Sequence, residues 1–111
     1  MGDHSEVVTE HYLKAKNTMD KAWYDEVLRE EPYYENENTP LEFESGFLDH
    51  SSKGRMKGEV DVWLLNREEK LMYPIEVKTS YGDLTYGRDQ LDRVDEHFDD
   101  WEVLKRLLVE P

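Results

Sequence analysis

The stretch Gly58–Thr79 reads GEVDVWLLNREEKLMYPIEVKT. Val60 to Leu65 and Leu71 to Thr79 are β-branched and apolar runs, and the polar segment Asn66 to Lys70 lies between them, so the pattern predicts an antiparallel hairpin. Side chains alternate faces along a strand, which pairs Glu59 with Asp61 on the first strand and Glu76 with Lys78 on the second. If the register brings those faces together, two or three carboxylates and an ammonium converge near the end of otherwise apolar strands.

Outward from the hairpin, the segment SSKGRMKG over Ser51 to Gly58 holds two glycines and three cations with no acid, and reads as a mobile basic loop. Leu41 to Leu48, with Leu41, Phe43 and Phe47 apolar, is the expected first strand, weakened by Gly46. Further upstream, Val8, Tyr12, Ala15, Met19 and Ala22 recur at helical spacing beside Trp23 and Val27, which predicts one long helix from Glu6 to Arg29. Pro32 and the polar stretch Glu35 to Pro40 are expected to end it. Downstream, Tyr81 to Gly87 reads as a loop, Leu91, Val94 and Phe98 as a second helix, and Val103 to Val109 as a strand or a helix, with Leu107-Leu108-Val109 favouring a last strand. The order is α-β-β-β-α-β, an α/β chain whose mixed sheet is flanked by helices, in a single domain spanning 1–111.

Hydrophobic and charged residues each make up 37%, enough apolar material for a core under a strongly solvated surface, so disorder throughout is excluded. There are no cysteines, which removes disulfides and thiolate metal sites. Met1-Gly2-Asp3-His4 is not a basic region leading into an apolar run, and about 18 consecutive apolar residues occur nowhere, so a cytoplasmic protein without a membrane partner is expected. The net charge of -13 argues against a polyanionic partner, because phosphate affinity comes largely from Lys and Arg. A local basic patch or a bound divalent cation can still hold phosphate on an acidic protein.

Clustered buried carboxylates are costly unless a cation neutralises them, and oxygen ligands suit hard cations such as Mg²⁺ or Mn²⁺. A metal at Asp61 and Glu76 would polarise a phosphoryl oxygen and lower the pKa of a bound water, with Lys78 positioning or deprotonating that water. Phosphodiester hydrolysis is the reaction this chemistry predicts. Lys53, Arg55 and Lys57 lie just before Asp61, where a basic loop would contact nucleic-acid phosphates.

Gly58-Glu59-Val60-Asp61-Val62 followed by Ile75-Glu76-Val77-Lys78-Thr79 resembles the PD-(D/E)XK nuclease superfamily, particularly its small archaeal Holliday-junction-resolvase-like members. The resemblance covers nearly the whole chain and implies the same element order. It further implies that Asp61 and Glu76 bind metal, that Lys78 is catalytic and that Val77 lends its carbonyl. The family's proline is Val60 here. A glutamate on the first helix often completes the set, for which Glu10 is the candidate, with Glu6 and Glu26 as competitors. A glutamine or basic residue on the following helix points to Gln90 or Arg88, and Gln90 is taken as the secondary site residue. The implied partners are duplex or branched DNA and a second copy of the chain, since two single sites on one substrate could cut both strands. No nucleotide cofactor is implied.

Blander readings stand beside these. An isolated Glu-x-Lys on a strand is commonly a solvated ion pair. His4, His11, His50 and His97 have no zinc spacing and read as surface residues. Trp23, Trp63 and Trp101 read as core anchors, whereas Tyr81 and Tyr86 are better placed for a nucleic-acid or dimer contact. Competing functions are a non-catalytic nucleic-acid or protein-binding module on the same fold, and an acidic interaction protein for which the net charge itself is functional.

Overall fold

The computed structural model describes residues 4–17, 24–39, 52–79 and 81–110. In chain order these form α1 (His4–Asn17), β1 (Glu26–Tyr34), β2 (Met56–Asn66), β3 (Leu71–Lys78), a 3-10 turn (Tyr81–Asp83), α2 (Leu84–His97), β4 (Glu102–Val103) and β5 (Arg106–Val109). β1, β2 and β3 are successive antiparallel neighbours, and β4 and β5 both join β3 in parallel. The result is the mixed sheet and the α-β-β-β-α-β order expected, with the last strand in two pieces.

The hairpin is built as its pattern predicts, running in register from Val62 opposite Ile75 to Asn66 opposite Leu71. Its turn is closed by the Asn66 side chain, whose Oδ1 accepts the Glu69 N–H at 3.0 Å. Pro74 explains why the parallel edge is broken. The Val77 N–H is directed toward β2, so by alternation the Pro74 nitrogen faces the opposite neighbour, where it has no proton to donate. β4 pairs beside Leu71 and Met72, and β5 resumes only at Ile75.

Two apolar clusters cover the two faces of this sheet. Val8 of α1, with Tyr12 and Ala15 against it, packs on Val62, Leu64 and Val77. Val94 and Phe98, at the end of α2, pack on Trp63, Leu65, Met72 and Tyr33. Leu91 and Val94 are buried at the 3-to-4 spacing that signalled this helix. Among the described residues, no helix is long and apolar enough to cross a membrane.

Three local expectations need correction. The first helix is not continuous to Arg29, because Glu26–Tyr34 is a strand. Val27 packs toward the α1 cluster and Leu28 toward the α2 cluster, the signature of a strand covered on both faces. β1 pairs only with β2, and on such an edge strand Pro32 is tolerated rather than a breaker. The first strand is therefore β1, and the predicted strand at 41–48 lies outside the described residues, as do Met19, Ala22 and Trp23. Finally, Tyr86 and Gly87 belong to α2 and not to the preceding loop.

Candidate functional site

Asp61 sits where the sheet changes character. Its neighbours Val60 and Val62 are two apart, yet Val60 joins the α2 cluster and Val62 the α1 cluster, so the regular alternation of faces breaks between them. The same break occurs across the pair in β1. The register passes from Arg29 opposite Val62 to Glu31 opposite Val60, omitting Glu30, whose φ of 50 lies in the left-handed region. On the other side, the β2–β3 ladder stops at Val62 opposite Ile75. One step further, Asp61 substitutes its side chain for the missing strand partner, and its Oδ2 accepts the Val77 N–H at 2.8 Å. The irregular backbone thus puts a 6% exposed carboxylate into the gap between two strands.

Glu76 follows on β3 and is 1% exposed. Its Oε1 is buried with no hydrogen-bond partner. Burial drives this carboxyl up to about 8, the adjacent Asp61 carboxylate adds to the rise, and Lys78 opposes it. Lys78 Nζ lies 3.8 Å from Glu76 Oε2 and donates to Gln90 Oε1 at 2.9 Å. The same ammonium is 5.0 Å from the centroid of the Tyr86 ring. Gly87 allows this approach. A Cβ there would meet Leu107 Cδ1 at 2.7 Å and Lys78 Cε at 3.1 Å, so a larger residue would push those two side-chain ends aside.

Asp61, Glu76, Lys78 and Gln90 are therefore brought together. Val77 joins them through its backbone: a strand residue directs its N–H and C=O to the same side, so its carbonyl faces the gap that Asp61 occupies. Among the described residues, no three His, Asp or Glu side chains form a group that could hold a metal ion. The site instead offers two carboxylates and one strand carbonyl, all hard oxygen donors, with one carboxylate oxygen buried and unpartnered. That donor set fits a cation such as Mg²⁺ or Mn²⁺.

Glu10 is not among these residues. It is exposed on α1 and pairs with Lys14 at 3.2 Å, while the competitor Glu26 pairs with Arg67 at 2.9 Å. The contribution of α1 is instead His4, whose Nε2 lies 3.2 Å from Asp61 Oδ1. No zinc-like spacing marked it, and only the packing of α1 across β2 carries it there. Glu59 is exposed, and its carboxyl is raised by partial burial, then by Glu30 and Asp61, with His4 opposing. Arg88 is exposed on α2.

The basic segment is docked and not loose. Glu35 N–H donates to the Arg55 carbonyl at 2.8 Å and Asn36 N–H to the Lys53 carbonyl at 3.0 Å, extending the β1–β2 pairing. Gly54, with φ 78, lies between these two paired residues, where a Cβ would fall 2.8 Å from Glu35 Oε1. Lys53 lies over the Tyr34 ring at 4.2 Å, whereas Arg55 and Lys57 face a groove bounded by Arg93 of α2. Arg93 was not anticipated, because in sequence it is one cation among the acids of a solvated helix face. No family description, curated protein or solved structure matches this chain.

Proposed function

We propose that this chain is a divalent-metal-dependent nuclease that hydrolyses DNA phosphodiester bonds. The observation that carries the reading is Glu76: a carboxylate almost wholly buried, unpartnered at Oε1 and set against a second carboxylate. A protein built only for stability gains nothing from that pair, since a carboxyl buried there must either keep a proton up to about pH 8 or carry a costly buried charge. Asp61, Glu76 and the Val77 carbonyl would hold Mg²⁺ or Mn²⁺, which supplies a Lewis acid for the phosphoryl oxygen and an acidified water.

Lys78, held by Gln90, presents an ammonium beside that pair, where it can orient the attacking water and offset charge developing on the phosphate. Asp61 is oriented by the Val77 N–H and by His4, which fixes its carboxylate before any ligand arrives. A second copy of the chain belongs to this reading, because one centre cuts one strand.

The test is incubation of supercoiled, single-stranded and branched DNA with Mn²⁺, comparing the wild type with Asp61→Ala and Lys78→Ala. Cleavage abolished by either substitution and by chelation is expected. Metal binding is read separately as a rise in melting temperature with Mn²⁺, expected in the wild type and absent in Glu76→Gln. Equal cleavage by all variants overturns the site. Lack of both cleavage and metal stabilisation favours a binding module on the same fold.

A further inference from the structure

The acids of this chain outnumber its bases 27 to 14, yet one groove reverses that balance. It runs between the start of β2 and α2, and Arg55, Lys57 and Arg93 line it against two carboxylates, Glu59 and Glu96. Among the described residues, none of these three cations makes an ion pair. In a molecule with so many carboxylates available, three adjacent unpaired cations mark a surface awaiting an external anion.

The groove has a second component. Met56, which borders both of its sections, is 58% exposed, and Tyr86 at the end nearest Lys78 is 56% exposed. These two exposed side chains interleave with the cations along the groove. The Tyr86 ring centroid lies 5.0 Å from the Lys78 ammonium, and the residue is still 56% exposed. Cations that track a backbone beside platforms on which bases can stack are the physical requirements of a single nucleic-acid strand. Bases locked in a duplex are stacked on one another and have no face to offer Tyr86.

We infer that this groove binds one unpaired strand of nucleic acid, its phosphates on Arg55, Lys57 and Arg93 and a base on Tyr86, delivering the scissile phosphate to Asp61, Glu76 and Lys78. This rests on the nuclease reading and narrows its substrate to single-stranded or frayed segments. Arg93 and Tyr86 are its substrate-positioning residues.

The experiment is fluorescence anisotropy of a labelled oligothymidylate, the equivalent oligouridylate and a blunt DNA duplex of the same length, with chelator present so that nothing is cut. At least one single strand binds about tenfold or more tightly than the duplex. Tyr86→Ala weakens strand binding by roughly tenfold while Tyr86→Phe restores it, as stacking requires. Arg93→Ala weakens it and lowers the slope of log affinity against log salt by about 0.7, the value for one phosphate contact on a single strand. Duplex binding as tight as strand binding, wild-type affinity in both Tyr86→Ala and Arg93→Ala, or displacement of the strand by an equal concentration of polyglutamate overturns the inference. A chain that holds the strand but cuts nothing refutes only the nuclease reading. One that cuts duplex and strand alike, with inert groove variants, refutes only this one.

Discussion

Glu76 concentrates the energetics of the site in one side chain. Its folded carboxyl titrates near 8 against an ordinary value of 4.5, so between those limits the folded state holds a proton that the unfolded state has released. The stability of the metal-free protein therefore falls as pH rises from 4.5 to 8, by on the order of 5 kcal/mol. Urea melts across that window, with chelator present, should show the decline in the wild type and little of it in Glu76→Gln, which is the more stable protein at the alkaline end. Saturating Mn²⁺ should flatten the wild-type curve, since the cation takes over the proton's role. A wild-type slope no steeper than that of the variant would mean the carboxyl is solvated. Beside it, Gln90 is the acceptor for the Lys78 ammonium. Gln90→Ala should lower kcat roughly tenfold or more, as loss of a hydrogen bond to a charged group implies, with KM nearly unchanged. Steady-state kinetics on a cleaved substrate distinguishes this from a general loss of folding.

At the scale of elements, the bend in β1 and β2 sets the position of Asp61, and Glu30 is its hinge. An ordinary strand position prefers Val over Gly by up to about 1 kcal/mol. A residue held at φ 50 inverts the preference, because a β-branched side chain is strained there and glycine is not. Thermal melts should accordingly rank Glu30→Gly above Glu30→Val by about 1–2 kcal/mol, and the reverse order would show that the bend relaxes at no cost. That bend also marks the boundary of what the sequence made legible. The β2–β3 hairpin and α2 were readable because one period governs each, and Asp61, Glu76 and Lys78 followed from that frame; the last strand rested on the apolar run Leu107-Leu108-Val109, and Gln90 came only from the family resemblance. β1 was hidden because burial on both faces erases a two-residue alternation, and because Val27 falls where a helical period also fits. His4 and Arg93 were hidden for another reason. Neither carries a local signature, and each reaches the site only because a helix crosses a strand more than fifty or thirty residues away in the chain.

For the whole molecule the question is how a net charge of -13 would coexist with the polyanionic substrate proposed above. Self-repulsion acts over the distances between surface charges and is screened as the Debye length falls from about 30 Å at 0.01 M salt to about 3 Å at 1 M. In the proposed complex the cations of the groove would act at contact, where binding a strand would release its condensed counterions and added salt would oppose it. The two effects have opposite signs, so one salt series separates them. Melting temperature should rise with NaCl over that range as repulsion among the 27 acids is screened, while affinity for a single strand falls over the same steps. Thermal melts and anisotropy on one set of samples check both. A melting temperature that falls with salt would mean that exposed pairs such as Lys14–Glu10 and Lys105–Asp92 outweigh the repulsion. Affinity that rises with salt would mean that the acidic exterior, and not the groove, governs the encounter with nucleic acid.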